Sequence, residues 1–295
     1  MAKCKVCFRH CEISEGEIGF CGARICKDGI VTASNYGKIT ALALDPIEKK
    51  PLSRFCHGSK ILSVGSYGCN LRCPFCQNYD ISWSEMAKSF AKLDIDNMDE
   101  KGLEYISPEE LVYIAKSYMD EGNIGIAFTY NEPMIGYEFV RDTAKLIKAE
   151  GMKNVLVSNG TAEIAVLEEI LPYIDAMNID LKGFTDDYYS RLLGGNRKMV
   201  MDFIERAVRN SHVELTTLII PGENDSYEEM REISRWIAGL KDKDGNVIGK
   251  QIPLHISRFF PTFKMTDRAA TDVRRVYELA DIAREKLDFV YTGNC

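Results

Sequence analysis

From residue 61 onward, apolar stretches of strand length alternate with longer helix-like stretches, and this alternation narrows the choice of fold more than any other feature. Strand-like stretches begin at positions 61, 124, 154, 176, 213 and 254. Strands that alternate with helices of ten or more residues form a parallel sheet. Such a number of units fits an open barrel better than a closed eightfold one. We therefore predict an α/β fold, a partial (β/α)6-type barrel over residues 61–295.

Residues 1–60 do not follow this pattern. Residues 1–28 are rich in cysteine and glycine and have no sustained apolar period, so that a metal would substitute there for a hydrophobic core. Two short strand-like stretches follow at residues 30–34 and 39–44, on either side of a Tyr-Gly turn. We predict a Cys-rich metal-binding segment at 1–28, a β-hairpin and connection at 29–60, and the barrel after them.

Composition and charge exclude several classes of function. The chain has 295 residues, with 37 Lys and Arg against 44 Asp and Glu, and its net charge of −7 argues against nucleic-acid binding and against a polybasic membrane anchor. No apolar run reaches the roughly 18 residues that a membrane-spanning helix needs. The first residues form no apolar signal region. We expect a cytoplasmic protein without nucleic-acid or membrane partners.

Ten cysteines fall mainly into two groups, and the first group lies at the amino terminus. In a long chain without a signal region, grouped cysteines indicate metal or redox chemistry rather than disulfides. Four thiolates within eighteen residues suffice for a closed tetrahedral site, and soft thiolates suit iron and zinc alike. The predicted second metal site consists of Cys4, Cys7, Cys11 and Cys21, with Cys26 and His10 as further candidates. A second iron–sulfur cluster that relays electrons, a structural zinc or iron ion, and free thiols remain as alternatives.

The second group has the spacing C-x3-C-x2-C and follows the first predicted barrel strand. Cys69, Cys73 and Cys76 lie on one short loop there. Three thiolates at this spacing can bind one face of an iron–sulfur cube, and with only three nearby ligands one iron is left open. An open iron can chelate a substrate, as an open catalytic zinc keeps a position for one. A zinc knuckle and a ferredoxin-like cluster with a distant fourth cysteine are the alternatives.

Polar residues also follow the other predicted strands. Because the carboxyl ends of parallel strands meet at one rim, we expect residues 129–133, 158–160 and 180–183 to lie near the cysteine loop. Asp180 and Lys182 alternate on one strand and therefore point to the same face. This pair is either part of the site or a plain ion pair. A structural protein would have little reason to collect polar groups at one rim in this way.

Residues 68–78, which contain the cysteine loop, resemble the radical SAM signature. The resemblance extends from about residue 29 to 292. It implies a [4Fe-4S] cluster on the three cysteines of the loop and S-adenosylmethionine (SAM) on the open iron. Reductive cleavage of SAM would then give methionine and a 5′-deoxyadenosyl radical. Phe75 fills the aromatic position that lies beside the adenine in that family.

The resemblance also implies a set of cofactor-binding and catalytic residues. Glu132 occupies the position of the family's Gly-Gly-Glu motif and would accept hydrogen bonds from the SAM amino group, although it could instead cap the next helix. His255 would lie near the adenosine, or else be a satisfied core histidine. The predicted cofactor-binding residues are Phe75, Asn78, Thr129, Asn131, Glu132, Ser158, Asn159, Asp180, Lys182 and His255. The predicted catalytic residues are Lys182, Asp180 and Cys295. Cys295 is predicted because a last strand at 289–292 would deliver it to the same rim, and the alternative is a disordered terminal thiol.

Two subfamilies are similar to this sequence and differ in the substrate they imply. Residues 77–80, 180–182 and 221–225 are similar to pyruvate formate-lyase activating enzymes, whose target is a glycyl radical enzyme. Residues 45–52, 76–78 and 129–133 look closer to the AmmeMemoRadiSam system radical SAM proteins, which implies an unidentified protein or small-molecule substrate of a Memo-type system.

The resemblance also implies partners for such an enzyme. They would be SAM, an electron donor such as flavodoxin or ferredoxin, and a Memo or AMMECR-type protein. A non-enzymatic iron–sulfur electron carrier is the alternative of another class, and it would not bind SAM.

Overall fold

The computed structural model describes residues 1–93, 98 and 102–295, and its secondary structure alternates between strand and helix from residue 60 onward. In this part of the chain the strands are β1 (Ala2–Lys3), β2 (Glu12–Ile13), β3 (Arg24–Lys27), β4 (Ile30–Ala33), β5 (Lys38–Ile39), β6 (Ala41–Pro46), β7 (Lys60–Gly65), β8 (Glu104–Tyr105), β9 (Asn123–Phe128), β10 (Lys153–Ser158), β11 (Ala176–Asp180), β12 (His212–Ile219), β13 (Leu254–Arg258) and β14 (Val290–Gly293). The α-helices are α1 (Tyr79–Ser82), α2 (Glu85–Phe90), α3 (Pro108–Ser117), α4 (Tyr137–Ala149), α5 (Ile164–Ile170), α6 (Arg197–Ala207), α7 (Tyr227–Ala238) and α8 (Val273–Arg284).

The core of the molecule is an eight-stranded sheet in the order β14-β13-β12-β11-β10-β9-β7-β6. The strands from β7 to β14 in this sheet pair in parallel, and only β6 runs antiparallel to its neighbour. Within the described residues the two edge strands, β6 and β14, do not pair with each other, so the sheet curls without closing. The predicted partial barrel is confirmed.

The start of helix α3 shows how local side chains stabilise the helices that cover the sheet. At the start of α3 the Ser107 hydroxyl accepts a hydrogen bond from the Glu110 amide at 3.2 Å, and the Glu110 carboxylate accepts one from the Ser107 amide at 2.8 Å. This capping box satisfies amide groups that a helix start leaves without partners. Helix α4 buries Phe139, Val140 and Ala144 at the spacing of one helix face.

The two strands predicted at 30–34 and 39–44 form, but they do not pair with each other. Strand β4 pairs antiparallel with β3, whereas β6 joins the edge of the main sheet beside β7. The physical reason is the length of the available partner: β4 has four residues, whereas β7 pairs with all six residues of β6. The predicted hairpin is therefore corrected to a β3–β4 hairpin and a separate edge strand.

Residues 47–54, which we call the floor segment, cover the inner face of the sheet near the amino ends of its strands. Ile47 and Leu52 are fully buried and belong to one apolar cluster with residues of four strands: Ile61, Ala127, Val155 and Ala176. Burying such side chains stabilises each by about 1.5–3 kcal/mol. This packing fixes the floor segment against the barrel interior.

Hydrogen bonds tie the same segment to the far side of the sheet. The Asn178 amide group donates to the Pro51 carbonyl at 2.8 Å. The Ser53 and Arg54 backbone amides donate to the two oxygens of Glu214 at 2.9 and 2.7 Å. Glu214 is fully buried, and these donors and two histidines lower the pKa of its carboxyl to about 2, although burial alone would raise it. The floor segment thus closes the amino end of the barrel interior.

Candidate functional site

A cavity of about 450 Å³ lies on the inner side of the sheet, and the cysteine loop forms part of its wall. Cys69, Cys73 and Cys76 all line it. It also brings together nine of the residues predicted to bind the cofactor: Phe75, Asn78, Thr129, Asn131, Glu132, Ser158, Asn159, Asp180 and Lys182. These residues come from separate parts of the sequence and meet because the carboxyl ends of parallel strands share one rim.

The three cysteine thiols of the loop have the chemistry of a metal-binding set. None of them forms a disulfide, and Cys73 is buried. Burial raises the pKa of Cys73 to about 12, and burial together with the Glu132 charge raises that of Cys69. Thiols with such raised pKa values keep their protons in the free protein and lose them when iron binds to the sulfur. The donor set and the adjoining cavity therefore fit an iron–sulfur cluster with an open position.

In the described part of the chain, no group of three or more His, Cys, Asp or Glu side chains is arranged to hold a metal ion. Neither the loop cysteines nor the four amino-terminal cysteines therefore converge on one point. In a cluster each thiolate binds its own iron, so the loop cysteines need not converge.

Glu132 is held rigidly and keeps one acceptor position free. Its Oε1 accepts hydrogen bonds from the Met134 amide at 3.0 Å and the Ser158 hydroxyl at 2.8 Å, and its Oε2 accepts one from the Asn159 amide at 2.8 Å. A carboxylate has about four acceptor positions, so one remains on Oε2. Burial raises the pKa of Glu132 to about 7 despite these donors. Glu132 thus caps a short 3-10 helix and also faces the cavity.

Asp180 and Lys182 form an ion pair in the cavity wall, with 2.7 Å between Lys182 Nζ and Asp180 Oδ2. Burial would lower the pKa of Lys182, but the charge of Asp180 raises it overall. The lysine is therefore positively charged at neutral pH. Because an ammonium group has three N–H donors and Asp180 takes one, Lys182 can also bind a second carboxylate in the cavity.

Asparagine side chains hold the rim together around the cysteine loop. Asn131 accepts a hydrogen bond from the Ser66 amide at 3.0 Å and donates to the Gly68 carbonyl at 3.1 Å. Asn159 donates to Asn70 Oδ1 at 3.0 Å, and its amide nitrogen lies 3.8 Å from Cys69 Sγ. These contacts fix the loop relative to β9 and β10.

Two of the predicted site residues lie away from the cavity. His255 is buried, and its Nε2 lies 2.6 Å from Glu214 Oε2 at the amino end of the barrel interior. This placement matches the alternative of a satisfied core histidine, and it does not support contact with a cofactor. Cys295 is exposed, and its thiol contacts the Gly293 carbonyl at 3.6 Å. Its neighbour Asn294 lines the cavity instead.

The four amino-terminal cysteines surround a second, much smaller cavity. Cys4, Cys7, Cys11 and Cys21 line this apolar space of about 10 Å³, which holds about one water-sized atom. Burial raises the pKa of Cys7, and it raises that of Cys21 to about 12. The two further candidates lie elsewhere, since Cys26 contacts Glu15 and His10 pairs with Glu163.

Several residues that line the large cavity were not found from the sequence. Thr216, Leu218 and Ser257 alternate along β12 and β13, and the period of two along a strand could have found them. Lys49 and Lys50 also line the cavity, but they belong to the floor segment. Residues 45–52 carry part of the family resemblance, but no local pattern shows that these two lysines face a cavity.

Comparisons with known proteins agree with this site. Residues 63–237 match the model of the radical SAM superfamily. The chain is 38% identical over 99% of its length to an uncharacterized protein of Methanocaldococcus jannaschii, of which 81% is covered. It is 26% identical over 75% of its length to the pyruvate formate-lyase-activating enzyme of Clostridium pasteurianum, of which 89% is covered.

A solved structure shares the fold. The crystal structure of a radical SAM methyltransferase from Sphaerobacter thermophilus aligns with a TM-score of 0.55 at 17% identity, covering 79% of this chain and 66% of that one. No helix among the described residues is long and apolar enough to cross a membrane. The match to the family model covers more than half of the sequence and contains the cysteine loop, and the chain therefore belongs to the radical SAM superfamily.

Proposed function

We propose that this chain is an enzyme that cleaves SAM reductively and abstracts a hydrogen atom from a substrate held in the same cavity. The observation that carries this proposal is the convergence of Cys69, Cys73 and Cys76 with a free acceptor on Glu132 and a free donor on Lys182 around one cavity. Cys69, Cys73 and Cys76 would hold a [4Fe-4S] cluster, which, once reduced by an electron donor, would supply the electron for the reductive cleavage of SAM.

The chain's own residues bind and orient SAM in this proposal. The free position of Glu132 Oε2 accepts a hydrogen bond from the SAM amino group, and Ser158 and the Asn159 amide fix the direction of that carboxylate. Lys182 binds the SAM carboxylate, and Asp180 holds the ammonium in place. Phe75, which is buried beside the third cysteine, provides an apolar surface for the adenine.

Two alternative classes of substrate are proposed. The relative from Clostridium pasteurianum favours activation of a glycyl radical enzyme. The motifs at 45–52, 76–78 and 129–133 favour instead a substrate of a Memo-type system. An added candidate partner protein distinguishes them: a glycyl radical signal on the partner in electron paramagnetic resonance supports the first, and its absence while SAM is consumed with another substrate supports the second.

We further propose that Cys4, Cys7, Cys11 and Cys21 bind a single structural zinc or iron ion. The support is the small cavity that the four thiols share. Its volume of about 10 Å³ favours a single ion over a cluster, although the four thiols do not converge on one point in the described part of the chain. The thiols would turn toward its centre on binding. This site would make residues 1–28 a metal-stabilised unit that precedes the segment 29–60 and the barrel.

Spectroscopy of the reconstituted protein tests the main proposal. The protein is loaded anaerobically with iron and sulfide and then reduced, and its electron paramagnetic resonance spectrum is recorded with and without SAM. We expect the cluster signal to change when SAM binds, and we expect no such signal from Cys73→Ala. A cluster signal that SAM leaves unchanged would favour the electron-carrier function.

A further inference from the structure

Two lysines of the floor segment reach the cavity that the proposed function assigns to SAM and substrate. Lys49 and Lys50 both line it, although the segment lies at the opposite end of the barrel from the cysteine loop. Lys50 is almost completely buried, with 3% of its surface exposed. A buried ammonium is costly unless other groups compensate it, so its neighbours decide what it can do.

The neighbours of the lysine pair compensate only part of its charge. Lys49 Nζ lies 3.0 Å from Asp45 Oδ1, and Lys50 Nζ lies 2.9 Å from Asp45 Oδ2. The Tyr130 hydroxyl donates to the same carboxylate at 3.0 Å, and the Lys50 ammonium lies 4.8 Å from the centre of the Tyr130 ring. One carboxylate therefore serves two ammonium groups, which leaves this cluster with one net positive charge.

The other charged groups of the cavity wall already have roles in the proposed function. Besides the two lysines, the charged residues that line the cavity in the described part of the chain are Glu132, Asp180 and Lys182. In the proposed function Glu132 binds the SAM amino group and Lys182 binds the SAM carboxylate. The positive charge at the floor is then the part of the wall that SAM leaves without a partner.

We propose that Lys49 and Lys50 bind the anionic group, a carboxylate or a phosphate, of a small-molecule substrate whose other end reaches SAM. The proposal rests on the proposed function. The proposed substrate is a small molecule because the floor segment closes this end of the barrel. There, Pro51, Ser53 and Arg54 form hydrogen bonds with side chains of β11 and β12. A volume of about 450 Å³ lies in the range of cavities that bind small molecules.

Isothermal titration calorimetry with two anions tests the site directly. Cluster-loaded protein is titrated anaerobically, at low ionic strength and without reductant, with inorganic phosphate in one arm and glutarate in the other. We expect one equivalent of at least one anion to bind, and the arm that binds identifies the preferred group. Lys49→Met should weaken that binding by about tenfold, because a charge-assisted hydrogen bond is lost.

Further variants separate a binding role from a purely structural ion pair. Lys50→Met should weaken binding at least as much, and Asp45→Asn should tighten it, because the neutralising charge is removed. Lys49 has a side chain that is 66% exposed, so its variant folds even if the buried positions do not tolerate change. Lys145→Met, on the exposed face of α4, is the matched control and should bind the anion like the wild type.

Repeating the titration with saturating SAM decides whether the lysines belong to the SAM site. We expect the anion affinity to stay the same, since SAM occupies the side of Glu132 and Lys182. The proposal is overturned if neither anion binds, if Lys49→Met binds it like the wild type, or if SAM displaces it. Failure of the proposed function is a separate result, because it shows as wild-type protein that never cleaves SAM.

Discussion

The barrel cysteines and the amino-terminal cysteines offer the same ligand atoms in different surroundings. Cys69, Cys73 and Cys76 line an open cavity of about 450 Å³ whose wall carries groups with free donor and acceptor positions. The amino-terminal set lines a closed apolar space of about 10 Å³. The two sites are in contact, since the Cys69 amide donates to the Cys21 carbonyl at 3.1 Å.

We infer from this difference that the surroundings of a thiolate set decide its role. Metal sites with an open position support catalysis, and closed four-ligand sites stabilise structure. A cavity with room for SAM makes the barrel set catalytic in our account. The amino-terminal segment has only short strands around its cysteines, and a bound ion would supply the cohesion that a hydrophobic core supplies elsewhere.

We expect the largest effect on metal content, measured in two variants in which all cysteines of one set are replaced. Replacing Cys69, Cys73 and Cys76 by alanine should remove about four iron atoms and the acid-labile sulfide per chain. Replacing the four amino-terminal cysteines should remove about one metal ion and leave the sulfide. Iron, zinc and sulfide are measured after anaerobic reconstitution. Loss of sulfide from the second variant would contradict a single-ion site.

The free energy of unfolding should depend more on the amino-terminal site than on the barrel site. Cys21→Ser should lower the free energy of unfolding by roughly 3–5 kcal/mol, because a bound structural metal is lost. Cys76→Ser, in the open site, should lower it by about 1 kcal/mol or less. Chemical denaturation of the metal-loaded proteins measures both.

Cys26→Ser is the matched control for that experiment. Cys26 is fully buried in the same segment but does not line the small cavity. Equal destabilisation by Cys26→Ser and Cys21→Ser would show that burial, and not a metal, accounts for the loss.

The pH dependence of SAM binding sharpens the description of the open site. Burial raises the pKa of Glu132 to about 7, so the carboxylate that accepts the SAM amino group is mostly protonated at pH 6 and mostly ionised at pH 8. SAM affinity should therefore rise about tenfold between these pH values and then level off. The Glu132→Gln variant should bind SAM more weakly, and its SAM affinity should not rise between pH 6 and pH 8. An unchanged pH profile in that variant would exclude Glu132 as the titrating group.

The sequence predicted the parts of the molecule that depend on local patterns. The strand–helix alternation predicted the partial barrel. The convergence of the cysteine loop with Glu132, Asp180 and Lys182 followed from one rule, that parallel strands end at one rim. Each strand and each strand end in these patterns needs only a few consecutive residues to be recognised.

The parts that were missed depend on long-range contacts. The edge position of β6, the floor segment and the burial of Lys50 all arise from residues that meet only in the folded chain. His255 illustrates the same limit, because its apolar strand indicates burial but not that Glu214 is its partner. Glu214 in turn has four donors from three parts of the sequence.

The most direct test of the central claim is the formation of 5′-deoxyadenosine. Protein reconstituted with iron and sulfide is reduced with dithionite under anaerobic conditions, SAM is added, and the product is quantified by mass spectrometry. Wild-type protein should form 5′-deoxyadenosine, and Cys73→Ala should form none above the background without enzyme. Equal product from both proteins, or none from wild-type protein that holds a reduced cluster and binds SAM, would contradict the assignment of the barrel cysteines to radical chemistry.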